Sequence, residues 1–325
     1  MTQKHPLVKA LPWWAAIYLP AWGSFFLLNW VFTIFPISFA PWFDNVCVQL
    51  LACWWAFVWA TTGLWPFTKI EGRFARGITA FISCWILGFL TWYIYIKVFN
   101  MDAATRGFPL IANLFFFIAL TSFVGENAHV RTLSVPKQFA INMILWFTFT
   151  WLLLSSSIVW IPAWWFGIGQ TFLAIGFLDY WKDLNQPAKS LVAWSIMGVK
   201  VMITAIICLA LGYWEPGVQF GEFWTIGNPG LVFLVFFAAW CSYNWGILVP
   251  MGNWPFTTIK HPVWRYLAAL LFACFLGWLV TLFALAVFPR FYQPRDTALW
   301  QAFTWAYIPT AWTFFICLLF PAEQR

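Results

Sequence analysis

The chain has 325 residues, of which 63% are hydrophobic and only 8% are charged. Soluble domains average about 25% charged residues, so this composition excludes a soluble globular protein and indicates an integral membrane protein. The formal net charge of +7 resides in short segments between apolar runs, which is typical of membrane topology signals and not of a nucleic-acid-binding surface.

Apolar runs follow one another along the whole chain, most of them close to the roughly 20 residues that a helix needs to cross a bilayer. They lack the alternating pattern of barrel strands. We therefore predict an all-α integral membrane protein, with residues 1–325 forming a single polytopic domain of about ten transmembrane helices. The predicted helices are 12–36, 46–66, 75–99, 108–125, 139–161, 163–181, 190–213, 228–250, 265–288 and 298–320.

Basic residues are concentrated in every second segment between these apolar runs. With the N-terminus inside, twelve Lys or Arg residues fall in inner segments, whereas the outer segments hold only Lys97, Arg106, Arg290 and Arg295. Lys and Arg are enriched in cytoplasmic loops. The sequence therefore predicts a multi-pass protein of the cell membrane with both termini in the cytoplasm.

The tetrapeptide Trp-Pro-Phe-Thr occurs twice, beginning at Trp65 and at Trp254, each time between two apolar runs. The same gapless alignment pairs Arg76 with Arg265 and Gly88 with Gly277, which favours an internal duplication. We predict four helical hairpins with cytoplasmic tips, two similar and two sharing only the plan, between flanking helices 12–36 and 298–320. The hairpins are 44–99, 108–161, 163–213 and 228–288.

The repeated tip has two interpretations. Proline disfavours helix at the residue before it and helps to end a span, so Trp65 and Trp254 would sit at the level of the lipid headgroups in a duplicated turn. A ligand-binding role for the tips is the alternative.

Lys200 lies near the middle of the seventh run, where a charged side chain is costly and often functional. Hairpin geometry places it level with Gln170 and Thr171 and one turn from Thr204, while Asp179 lies roughly 12 Å nearer the cytoplasm. These residues are candidates for a ligand site. Hydrogen bonds between helices, or snorkelling of the Lys200 side chain, would account for the same pattern.

Other candidate residues lie in the cytoplasmic tips. Acid–base chemistry or contact with lipid headgroups would use the polar groups there, which are Glu126, His129, Arg131, Lys260, His261 and Arg265. The chain has three His, and seven Cys without a CxxC motif, which excludes His-rich di-iron sites and gives no zinc or disulfide pattern. We predict no metal site and no cofactor.

Three functions remain open. The first is a small-molecule transporter or permease with an aromatic-lined path, indicated by the many helices and by Lys200. The second is a membrane subunit of a larger complex that binds partner subunits, quinone or lipid. The third is a membrane enzyme acting on a lipid or isoprenoid at the cytoplasmic tips. The bilayer is the partner common to all three, and we expect no nucleic acid.

Overall fold

The computed structural model describes most of the chain, in two large blocks and several short stretches. The described residues are 6–154, 188, 191–192, 194–195, 198–199, 202–203, 206, 229–248, 250–292 and 295–319. Every regular element within these ranges is helical, and no strand occurs among them. We number the α-helices of these ranges in chain order: α1 Pro6–Ile34, α2 Pro41–Thr61, α3 Arg73–Tyr93, α4 Phe108–Ile118, α5 Val135–Leu154, α6 Pro229–Cys241, α7 Pro262–Val287 and α8 Arg295–Leu319.

The helices are compatible with membrane insertion. Four helical segments in the described ranges are long and apolar enough to cross a membrane, namely Leu7–Ile34, Pro41–Thr61, Arg73–Val98 and Pro262–Arg290. Eight of the ten predicted runs each overlap one of α1 to α8. The predicted run 163–181 and most of 190–213 lie outside the described residues, so the count of ten spans stays a prediction.

Several helices change to π-helix at one end. The π-segments are Ile94–Val98 after α3, Ala103–Gly107 before α4, Ala119–Val124 after α4 and Ser242–Leu248 after α6. A π-helix displaces the regular i→i+4 hydrogen bonds, and such segments are frequent at functional sites. Two of them, Ala119–Val124 and Ser242–Leu248, lie beside the candidate sites described below.

Helix α2 is the centre of the bundle. All of its residues from Phe43 to Trp59 are buried, and it packs against α1, α3, α4 and α8. Small residues allow close approach of helices in a membrane, where packing and hydrogen bonds drive association. Gly88 of α3 is one such residue, because a Cβ atom there would lie 2.6 Å from the backbone nitrogen of Ala52 in α2.

The helix ends sort onto two sides of the bundle. Three contacts place the start of α1, the start of α3, the end of α8 and the hairpin tips on one side. Trp14 Nε1 near the start of α1 donates to the Ile247 carbonyl at 3.4 Å, and Gly77 near the start of α3 lies against the Leu318 backbone at the end of α8. The ring of Trp65, in the first tip, lies against Phe139 near the start of α5. On the opposite side, Phe43 of α2 contacts both Trp92 of α3 and Trp300 of α8. We call the first side the tip side.

Within the described ranges, the tip side carries Lys9, Lys69, Arg73, Arg76, Arg131, Lys137, Lys260 and Arg265, and the other side Lys97, Arg106, Arg290 and Arg295. The relative sidedness of the helix ends agrees with the predicted alternation. The assignment of the tip side to the cytoplasm stays a prediction from this charge distribution.

Candidate functional sites

The hairpin tips in the described ranges share one turn. In each, two consecutive residues have positive φ, and the N–H of the following residue donates to the carbonyl of the preceding one, as in a type I′ turn. The turns are 62–65, 125–128 and 251–254, with N···O distances of 3.2, 2.9 and 3.3 Å. The second positive-φ residue, Leu64, Asn127 or Asn253, also donates its N–H to a carbonyl in the preceding helical segment, at 2.8 to 2.9 Å. The middle tip, whose sequence differs from the other two, therefore reverses the chain in the same way.

Leu64 offers a direct test of this turn, since its φ of 64° belongs to the left-handed region, which costs a residue with a Cβ roughly 1–2 kcal/mol. We expect Leu64→Gly to be more stable than Leu64→Ala by about 1 kcal/mol, because both variants remove the Leu side chain and only glycine is free of the φ cost. The measurement is the unfolding midpoint of each variant in one detergent. Equal midpoints, or a more stable alanine variant as in an ordinary helix, would contradict this turn geometry.

The two Trp-Pro-Phe-Thr tips match beyond the turn. Each continues into a short 3-10 helix, Phe67–Lys69 or Phe256–Thr258, and each Trp–Pro bond is cis. The paired arginines then bond back to the tip, because Arg76 Nη2 donates to the Ile70 carbonyl at 3.2 Å and Arg265 Nε donates to the Ile259 carbonyl at 2.9 Å. These guanidinium groups hold the backbone of the tip in place.

The other candidate residues of these two tips are Trp65, Trp254, Lys260 and His261. The Trp65 ring lies 5.2 Å from Phe139 of α5, between centroids, and Trp254 is half-buried. His261 is exposed, and its carbonyl accepts the backbone N–H of Arg265 at 3.0 Å. The Lys260 carbonyl accepts Arg265 Nη2 at 3.4 Å.

The middle tip contains a connected polar network beside the π-segment Ala119–Val124. His129 Nε2 lies 2.7 Å from Asn142 Oδ1 on α5, and Asn142 Nδ2 donates to Asn127 Oδ1 at 3.0 Å. Asn127 Oδ1 also accepts the Ser122 hydroxyl at 2.8 Å. Since an amide oxygen only accepts, this arrangement uses His129 Nε2 as a donor. The network ties the tip to α5.

The acid and the histidine of this tip make different contacts. Glu126 forms an ion pair with Arg131 at 3.4 Å, whereas the ring of His129 bonds Asn142. The structure therefore groups Glu126, His129 and Arg131 in one tip and gives the acid and the histidine different partners. Among the described residues, no group of three or more His, Cys, Asp or Glu could hold a metal ion.

The remaining sequence candidates concern the third predicted hairpin. Lys200, Gln170, Thr171, Thr204 and Asp179 lie outside the described residues.

A cavity of about 260 Å³ lies between α1, α6 with its π-segment, α7 and α8, and we call it the aromatic cavity. Within the described ranges, its lining residues are all uncharged. Its walls include Tyr18 and Trp22 of α1, Ser242 and Tyr243 of the π-segment, Leu276 and Val280 of α7, and Trp305 and Pro309 of α8. Residues such as Tyr18, Leu276 and Pro309 lie well inside their helices, so the cavity is well away from both ends of the bundle.

Three interruptions of regular helix occur in the helices that form the aromatic cavity. α1 contains Pro20, between the wall residues Tyr18 and Trp22. α8 contains Pro309, which lines the cavity and has no N–H to donate to the carbonyl of Trp305 one turn earlier. The third interruption is the π-segment Ser242–Leu248. At membrane depth, irregular backbone is tolerated where it is buried in protein or lines a cavity.

Aromatic rings form one wall of the cavity. Trp22 stacks on Trp305 with centroids 6.2 Å apart and planes 4° apart, and Tyr18 meets Trp22 edge-on at 5.4 Å. Tyr18 Oη lies 3.5 Å from Ser242 Oγ, which is long for a hydroxyl hydrogen bond. Gly246 leaves room for this hydroxyl, because a Cβ there would lie 2.9 Å from Tyr18 Oη.

None of the residues that line this cavity was a candidate from the sequence. The available signals were Pro20 and Pro309, each inside an apolar run, because a proline within a span marks a break in the helix. Neither position shows that the two breaks face each other. That requires the contacts of Trp22 with Trp305 and of Tyr18 with Ser242.

The chain was compared with protein-family models, curated proteins and solved structures, and none of the three comparisons found a match.

Proposed function

We propose that the protein is a multi-pass membrane carrier that binds a small molecule in the aromatic cavity. The observation that carries the proposal is that the π-segment Ser242–Leu248 and Pro309 line one cavity, whose α1 wall residues Tyr18 and Trp22 lie on either side of Pro20 in the sequence. Membrane carriers bind substrate near the middle of the bilayer, at helices whose regular hydrogen bonding is interrupted.

The surroundings of the cavity support this role over an enzymatic one. Its lining has aromatic rings and hydroxyl groups, which bind and orient a ligand, and no Asp, Glu, His, Lys, Arg or Cys is among the described lining residues. At the middle tip, Glu126 pairs with Arg131, while His129 bonds Asn142. Acid–base catalysis by Glu126 and His129 would require both side chains to lie within hydrogen-bonding reach of one substrate.

We further propose ten spans arranged as four hairpins with cytoplasmic tips, between α1 and α8. The common turn at three tips supports this arrangement. The buried faces of α3 and α7 support it as well, since their members pair at the same spacing that separates Trp65 from Trp254. The paired buried residues are Ala80 with Ala269, Cys84 with Ala273, Gly88 with Gly277 and Trp92 with Thr281.

The test needs no knowledge of the substrate, since a carrier exposes its binding cavity to water on each side of the membrane in turn. Ser242→Cys places a thiol on the cavity wall, and Ala52→Cys places one in the core of α2, where Ala52 is fully buried. Both variants, with the wild-type chain as background for the native cysteines, are treated in sealed vesicles of either orientation. The reagent is a charged, membrane-impermeant methanethiosulfonate.

We expect Ser242→Cys to be labelled from both sides and Ala52→Cys from neither. Labelling of Ser242→Cys from one side alone would contradict a carrier and indicate a binding pocket, as in a membrane subunit or receptor. Absence of labelling from either side would also contradict the proposal, because the cavity would then be a sealed packing void.

A further inference from the structure

We infer that the ligand of the aromatic cavity is an uncharged ring compound carrying one hydrogen-bonding group. This inference rests on the proposed role of the cavity as the binding site and specifies the class of molecule bound there. It follows from the charge, the volume and the polar groups of the cavity.

The uncharged lining that the described residues form disfavours ionic ligands. Aromatic walls such as Trp22, Trp305 and Tyr18 can attract a cation through their faces. However, the lining residues that the structure describes include no carboxylate to neutralise a cation and no Lys or Arg to neutralise an anion. A charged group inside the bilayer without a partner is costly, so a neutral ligand is strongly favoured.

The volume sets the size of the ligand. An apolar cavity of about 150 Å³ holds benzene, and the aromatic cavity has about 260 Å³. It therefore accommodates a substituted or fused ring of the size of indole. The flat faces of the stacked Trp22 and Trp305, with planes 4° apart, offer a ring ligand an edge or a face to pack against.

The hydroxyl groups of Tyr18 and Ser242 offer a place for the polar group of the ligand. Tyr18 Oη and Ser242 Oγ line the cavity and lie 3.5 Å apart, so their mutual hydrogen bond is weak. Each hydroxyl can donate and accept, and a ligand N–H or carbonyl near both would make better hydrogen bonds than the two make with each other. Gly246 is part of this arrangement, since a larger residue would displace the Tyr18 hydroxyl.

The experiment measures binding to the full-length protein in lipid nanodiscs by isothermal titration calorimetry, with empty nanodiscs as the blank. The probes are indole, tryptamine and indole-3-acetate, which share one ring system and differ in charge. We expect indole to bind and the two charged probes to bind about 100-fold more weakly.

The variants locate the binding. Tyr18→Phe and Ser242→Ala should each weaken indole binding about 5-fold, the effect of one hydrogen bond. Gly246→Ala should weaken it at least about 5-fold by displacing the Tyr18 hydroxyl. Gly23→Ala is the matched control on α1, because a Cβ there has no atom within 4 Å, and it should leave binding unchanged.

Two results would overturn the inference: a charged probe that binds as tightly as indole, or indole binding that none of the cavity variants weakens. The carrier proposal fails in a different experiment. If Ser242→Cys is labelled from both sides but indole does not bind, the carrier proposal stands and the proposed class of ligand is wrong. Indole binding that the cavity variants weaken, without two-sided labelling, retains the ligand class and rejects the carrier.

Discussion

Replacement of Asp44 by alanine is expected to lower the free energy of unfolding by about 3 to 5 kcal/mol, because it removes the acceptor of buried donors. Asp44 lies in the first turn of α2 with no exposed surface. Its carboxylate accepts the backbone N–H of Ile37 at 2.8 Å, the backbone N–H of Ser38 at 2.9 and 3.0 Å, and Trp92 Nε1 at 2.8 Å. The residue thereby joins the α1–α2 connection to α3.

An Asn variant at this position tests the contribution of hydrogen bonding separately from that of side-chain size. Asp44→Asn keeps the size of the side chain but offers one acceptor oxygen instead of two and directs an NH₂ group at donors. We expect its stability to lie between those of the wild type and Asp44→Ala. Asp102→Asn is the control for loss of a negative charge on the same side of the bundle, since Asp102 is exposed, and its effect should stay within about 0.5 kcal/mol.

Unfolding in mixed micelles, followed by Trp fluorescence, measures all three variants. Asp44→Ala with a stability within about 0.5 kcal/mol of the wild type would show that the donors find other acceptors when the carboxylate is removed. That result would contradict a structural role for Asp44.

Replacement of Gly88 by alanine is expected to destabilise the protein by about 1 to 3 kcal/mol, the usual cost of overpacking. The new Cβ would lie 2.6 Å from the nitrogen and 2.9 Å from the Cα of Ala52. These are backbone atoms of the central helix and cannot move aside as a flexible side chain would. The α2–α3 pair would have to separate, and the gain in helix propensity from alanine offsets only about 1 kcal/mol.

Two other glycines extend this prediction to a series of three Gly→Ala variants with different expected losses of stability. A Cβ on Gly277, the residue paired with Gly88, would lie 3.1 Å from the ring of Phe236, and a Cβ on Gly23 would meet nothing within 4 Å. We expect the thermal unfolding midpoint to fall most for Gly88→Ala, less for Gly277→Ala, and not at all for Gly23→Ala. A different order would mean that close helix approach does not limit the packing at Gly88.

Much of the helical plan was predictable because it depends on local composition. Eight of the ten predicted runs overlap a described helix, since an apolar run of sufficient length between turn residues forms a helix wherever it lies in the chain. The Trp-Pro-Phe-Thr tips were also predicted as turns, and the chain turns directly before each Trp, in a turn that contains the positive-φ glycine Gly63 or Gly252. The shared turn of the middle tip was not predictable, because its first positive-φ residue is Glu126, whereas the other two tips have glycine there.

The candidate site was much less predictable. The sequence directed attention to Lys200, which lies outside the described residues, and to charged tip residues such as Glu126 and His129. A charged residue in an apolar run is conspicuous in a sequence, whereas a cavity formed by Tyr18, Ser242 and Trp305 is not. Its walls consist of the residue types that fill every other helix of this chain.

Composition and charge alone determined the class of the protein, the position of most helices and the expected sidedness of the loops, because hydropathy and helix-breaking residues act locally. The tertiary structure decided which helix is central and where a ligand can bind. The most apolar stretch of α2 is no more apolar than those of α1 and α3, yet the residues of α2 from Phe43 to Trp59 are buried, because α1, α3, α4 and α8 all pack against it. Likewise, Tyr18, Trp22 and Pro309 line one cavity only because α1 and α8 pack together, and such contacts between residues far apart in the chain leave no local pattern in the sequence.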